Sequence, residues 1–122
     1  MLFRSVLLSD PGYPANRHFV RLMEGEAVGI PVGPDSHYQL TPELIEQHWT
    51  SRTVAALVAT PSNPTGTLIA HEQLRAMAAA TAARGGALIV DEIYHGLVYE
   101  GDTYSAVDAG DNVFVKIGRA HV

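Results

Sequence analysis

At 122 residues the chain has room for one small domain with a real core, yet it is short for a complete metabolic enzyme. Apolar residues make up 47% and charged residues 17%, a globular balance, and a formal net charge of −5 lacks the basic face that nucleic acid or an anionic membrane would require. There is no cysteine, which excludes disulfides, thiolate metal sites and cysteine nucleophiles.

The first predicted element is a strand over Val6, Leu7 and Leu8, ended by the turn signal Ser9-Asp10-Pro11-Gly12. A helix is expected from Pro14 to Glu24, with Phe19, Val20 and Met23 on one face and Gly25 as its C′ residue. Ala27 to Val32 reads as a strand that ends, or lies at an edge, near Pro31. Thr41-Pro42-Glu43 is a helix start, with a hydroxyl N-cap, proline at the first position and an acid in the first turn; the helix carries Leu44, Ile45 and Trp49. Val54 to Ala59 is apolar throughout, as in a strand covered on both faces. After the loop Thr60 to Gly66, an alanine-rich helix is expected from about Ala70 to Arg84. Leu74, Met77, Ala78 and Thr81 recur along it at helical spacing, and Gly85-Gly86 is its stop. Ala87 to Val90 is a second apolar strand running into Asp91-Glu92-Ile93-Tyr94, and Asn112 to Val115 is a last strand.

Strands alternating with helices imply βαβ units: an α/β fold with a largely parallel sheet and helices on both faces. No apolar run approaches the roughly 20 residues needed to span a bilayer and no signal peptide opens the chain, so a cytoplasmic protein is expected. The two ends read differently. Met1 to Ser5 and the closing Ile117-Gly118-Arg119-Ala120-His121-Val122 match in-frame translations of one sequencing adapter read on opposite strands, with Lys116 at the junction. Residues 6–115 are therefore expected to be the natural sequence, and 1–5 and 116–122 non-native.

In an open parallel sheet, ligands bind outside the carboxyl ends of the strands. Three strands deliver distinctive residues there: Asp10-Pro11-Gly12-Tyr13, Pro61-Ser62-Asn63-Pro64-Thr65-Gly66 and Asp91-Glu92-Ile93-Tyr94. An aromatic ring, a carboxamide, a carboxylate and a phenol suit a flat, polar heteroaromatic ligand better than a phosphate chain. Neither G-x-G-x-x-G nor G-x-x-x-x-G-K-[ST] occurs, so dinucleotide and P-loop readings have no support. The histidines His18, His37, His48, His71, His95 and His121 lack close metal-ligand spacing, and no metal is expected. Glu92 falls on the opposite side of a strand-like segment from Asp91, which argues against a paired-carboxylate acid–base role.

With those three motifs in order and in register, Val6 to Val115 resembles the class I/II aminotransferases, built on the fold-type I pyridoxal-phosphate scaffold. The resemblance implies the central part of the large, cofactor-binding domain of an enzyme that moves an amino group between an L-amino acid and a 2-oxo acid. It implies that Tyr13 stacks on the pyridine ring of pyridoxal 5′-phosphate. Asn63 and Tyr94 would donate to the ring oxygen, with Asn63 also near the substrate carboxylate, and Asp91 would pair with the protonated ring nitrogen. The chemistry needs that set, because transamination builds negative charge that a protonated pyridine can accept and a buried carboxylate stabilises the protonated form. The resemblance also implies cis peptide bonds before Pro11 and Pro64 and a homodimeric intact protein.

Transamination further requires a lysine for the Schiff base and the proton shuttle. Lys116 is the only one present, and the Ser-x-Ser-Lys setting of the family does not surround it. No catalytic residue is therefore assigned, and this chain is expected to be inactive alone. Three other readings stay open: another enzyme on the same scaffold, such as a carbon–sulfur lyase or decarboxylase; the aminotransferase-like domain of a transcription regulator; and a cofactor-free α/β domain.

Overall fold

A computed structural model describes residues 3–102 and 104–118. Five strands form one sheet in the order β2-β1-β3-β4-β5: β1 (Ser5–Asp10), β2 (Glu26–Pro31), β3 (Thr53–Ala59), β4 (Ala87–Asp91) and β5 (Val113–Lys116). Every pairing is parallel, as the βαβ rhythm implies. Ser5 and Lys116 are themselves in the ladder, whereas Met1, Leu2 and residues 119–122 of the two ends read as foreign lie outside the described residues.

Three helices connect the strands: α1 (Pro14–Leu22), α2 (Pro42–His48) and α3 (His71–Ala82). α2 begins as its sequence dictates, with Thr41 Oγ1 accepting from the Leu44 N–H at 3.1 Å. Along α3 the buried residues are Leu74, Met77, Ala78, Ala80 and Thr81, so its helical spacing is a true core stripe. Gly86 comes after it, where the chain passes under Trp49. A Cβ there would lie 2.4 Å from the indole and 2.9 Å from the Val54 carbonyl, so only glycine fits.

The register separates the two faces of the sheet. Leu7, Ala56, Val58, Leu88 and Val90 share one face and pack with Ile45 of α2 and Leu74 and Met77 of α3 into the hydrophobic core. Leu8, Leu57, Ile89 and Phe114 share the other, where Phe114 is 63% exposed. β3 is thus fully covered on one face only, not on both as its apolar run suggests. Val54 stands out of the pattern because the register shifts between Ser5 and Val6.

α1 lies on this second face, its Arg17 paired with Asp10 at 2.9 Å. Its expected apolar face is not buried: Phe19 and Met23 are exposed, Met23 by 83%, and the buried helix residue is Asn16. The helix also ends at Leu22, two residues earlier than expected. Glu24 takes the left-handed C′ conformation (φ 59°) and Gly25 the next place. Their N–H groups donate to Arg21 and Val20 carbonyls at 3.0 and 2.9 Å, a Schellman closure. Glycine eases the packing at 25, where a Cβ would lie 3.0 Å from both the Val20 carbonyl oxygen and its Cγ1.

Candidate active site

The carboxyl ends of β1, β3, β4 and β5 make one edge. Register places Asp91 beside Ala59 on one side and Lys116 on the other, and Asp10 ends β1 next to β3. Ala59, on the strand between those that end in Asp10 and Asp91, contributes only a methyl.

Tyr13 and Asn63 both come to this edge. Both line one small pocket with Leu57, Ala59, Ser62 and Arg17. Tyr13 is brought there by a tight turn after β1, in which a Cβ on Gly12 would sit 2.6 Å from the Ser9 carbonyl oxygen. Asn63 is brought by the loop after β3. The Asp10–Pro11 and Asn63–Pro64 bonds are cis, as expected, and Thr60–Pro61 is cis as well. Thr60, the first residue of that loop, donates its N–H to the Asp91 carbonyl at 3.1 Å, which ties the loop to the end of β4.

Asp91 is 3% exposed and on the same face of the sheet as Ala59. Oδ1 accepts from the Ile93 N–H at 3.2 Å, which fixes the carboxylate plane. Oδ2 is turned toward a cation, the Lys116 ammonium at 3.5 Å. That ammonium is buried without a hydrogen-bond partner and lies 5.4 Å from the centroid of the Phe19 ring. The carboxylate is thus a cation acceptor with one oxygen committed to the backbone and one held open to charge.

Tyr94 occupies the turn after β4, half-buried, and does not line the pocket of Tyr13 and Asn63. The structure therefore brings Tyr13 and Asn63 to one small pocket; Asp91 does not line it but ends the neighbouring strand beside Ala59, which does, and Tyr94 lies outside it in the turn after β4. Glu92 points the other way, as expected for the neighbour of Asp91 in a strand. It accepts from the Ser105 hydroxyl at 2.9 Å and from the Ala106 N–H, and so anchors the return of the chain toward β5. That role was not legible in sequence, where Glu92 is merely the second acid of a motif.

The aminotransferase class I and II family model matches residues 3–118. The chain belongs to the class I and II aminotransferases. It is 41% identical over 96 residues to the valine–pyruvate aminotransferase of Mycobacterium tuberculosis, covering 79% of this chain and 24% of that protein. To the aspartate aminotransferase of Geobacillus stearothermophilus it is 32% identical over 102 residues, covering 84% and 26%. Among solved structures, an aminotransferase from Mycobacterium tuberculosis superposes with a TM-score of 0.84 at 37% identity, over 93% of this chain and 31% of the other. The aspartate aminotransferase of Thermus thermophilus with maleate gives 0.86 at 29% identity, over 94% and 30%. The chain thus spans about a quarter of the length of the curated relatives it matches. The five-stranded parallel sheet is an aminotransferase large-domain sheet in part.

Proposed function

We propose that this chain is the cofactor-ring-binding part of an enzyme that moves an amino group between an amino acid and a 2-oxo acid using pyridoxal 5′-phosphate. The observation that carries the reading is Asp91: a buried strand-end carboxylate, one oxygen fixed by the Ile93 N–H, the other turned to a cation, on the face where Tyr13 and Asn63 meet. Such a carboxylate would hold a protonated ring nitrogen in the position Lys116 Nζ now approaches. Tyr13 would supply an aromatic wall for the ring plane, and the Asn63 carboxamide a donor at its polar edge. Tyr94, at the margin of the edge, would add a second donor there. When bound, the cofactor supplies an electron sink for charge developing at the substrate α-carbon.

Lys116 does not qualify as the amine that bonds the cofactor. Its ammonium is already at the carboxylate meant for the ring nitrogen, which is the opposite end of a pyridine ring from the reactive carbonyl. On this reading the catalytic lysine, a phosphate-binding segment and the residues that select a substrate belong to parts of the complete protein beyond this chain, and the complete protein pairs with a second copy. The names of the relatives, a valine–pyruvate and several aspartate aminotransferases, support an amino acid and a 2-oxo acid as the substrate classes.

The test is to express the complete protein that carries this chain, add pyridoxal 5′-phosphate, and follow the absorbance of bound cofactor. A panel of amino acids with 2-oxo acids then assays amino transfer. Stoichiometric cofactor binding and exchange of the amino group are expected. A folded protein that binds no cofactor would leave the cofactor-free α/β reading in its place; binding without amino transfer would favour the lyase or decarboxylase alternatives.

A further inference from the structure

Gln39 belongs to none of the three motifs, yet it is the polar side chain most thoroughly built into the site's surroundings. It lies in the connection from β2 to α2 and is only 5% exposed. Its Nε2 is 3.0 Å from the Ala59 carbonyl, 3.1 Å from the Thr67 carbonyl and 3.2 Å from Thr67 Oγ1. Ala59 and Thr67 are the two ends of the loop that bears Asn63. One amide nitrogen therefore closes the neck of that loop, and Gln39 itself does not line the pocket of Tyr13 and Asn63.

The rest of the loop is arranged around this closure. The Ser62 N–H donates to the Thr67 carbonyl at 3.0 Å and the Gly66 N–H to the Ser62 carbonyl at 2.8 Å, so the tip holds its own shape. The Ile69 N–H donates to Thr60 Oγ1 at 3.0 Å. These bonds shape the tip; among the described residues, Gln39 alone brings a donor from another part of the chain to both ends at once.

A second, independent observation comes from the backbone that delivers it. His37 and Tyr38, immediately before Gln39, both adopt left-handed conformations (φ 52° and 58°). Two consecutive non-glycine residues in that region are unfavourable, because Cβ crowds the following carbonyl. Such an arrangement persists where the surrounding structure over-determines it, and here it turns Gln39 inward to its three acceptors. Resting on the proposed cofactor role of this edge, we propose that Gln39 is a positioning residue: by clamping Ala59 to Thr67 it sets the position and direction of the Asn63 carboxamide at the polar edge of the cofactor ring. It touches neither ring nor substrate.

The complete protein provides the test. Gln39→Met keeps the length and removes the donors; Gln39→Glu keeps the shape and places oxygens against oxygens, and serves if the first variant does not fold. Hydrogen exchange in the cofactor-free protein reads the clamp directly: the Ser62 and Gly66 amides are expected to exchange at least tenfold faster in either variant, with Leu88 and Val90 unchanged. Pyridoxal 5′-phosphate affinity reads its consequence. Gln39→Met is expected to weaken binding roughly five- to tenfold, the worth of a neutral hydrogen bond. In an Asn63→Ala background, the same change is expected to add less than twofold, because the group it positions is gone. Additive losses, or loop amides that exchange as in the parent, would overturn the proposal. If the parent protein takes up no cofactor, the cofactor reading fails. Faster exchange at Ser62 and Gly66 alone would then establish a loop clamp, and the positioning role would fall with that reading.

Discussion

The two faces of this sheet are finished to different degrees. Beneath α2 and α3, Leu7, Ala56, Val58, Leu88 and Val90 are closed off completely; opposite them, Ile89 and Leu57 are half-covered and Phe114 is bare. Yet the half-covered face holds Ala59, Asp91 and the approach to Tyr13 and Asn63. Stability is concentrated on one side of β3 and β4, and the proposed binding groups on the other, one residue out of phase. A domain that supplies only about a quarter of the length of its relatives would leave such a face. The proposed site lies on the face left open.

Substitutions sharpen that contrast. The largest loss is expected on the packed face: Leu88→Ala removes a fully buried side chain and should cost about 2–5 kcal/mol of unfolding free energy, measured by chemical denaturation. Next comes Gly86→Ala, whose methyl would meet Trp49 at 2.4 Å and the Val54 carbonyl at 2.9 Å; overpacking of about 1–3 kcal/mol is expected from the same experiment. Glu92→Ala strips the acceptor from the buried Ala106 N–H and should cost about 1–3 kcal/mol, with faster amide exchange confined to residues 104–109. The smallest effect belongs to the open face. Phe114→Ser in this chain should change stability by less than about 0.5 kcal/mol, because the ring is mostly in water already. In the complete protein the same substitution should become costly. A Phe114→Ser effect as large as that of Leu88→Ala in the 122-residue chain would erase the contrast between the faces.

Much of this arrangement is legible in the sequence, and the reasons it is not fully so are local. The caps of α2, the core stripe of α3 and the parallel alternation come from short-range rules, and the structure obeys them at Thr41, Leu74 and Met77. An apolar strand such as Val54 to Ala59 carries no mark of which side will be covered, since periodicity is silent when every position is apolar. The C′ position of α1 belongs to Glu24 rather than Gly25. The closure needs two residues after the cap, and the tighter contact, against Val20, falls on the second. Of the site, Tyr13, Asn63 and Asp91 can be placed on one edge by strand order alone, whereas Tyr94 cannot, because its position depends on the turn at residues 93–96. Gln39 leaves no sequence signal: a single amide in an irregular connection has no period, and its meaning comes from three acceptors distant in the chain.

In the complete protein loaded with cofactor labelled at its ring nitrogen with nitrogen-15, the nitrogen chemical shift reports directly whether that atom carries a proton. With Asp91 intact it should be protonated across neutral pH, and in Asp91→Ala it should lose the proton. A nitrogen that is unprotonated in the parent, or equally protonated without the Asp91 carboxylate, would contradict the account.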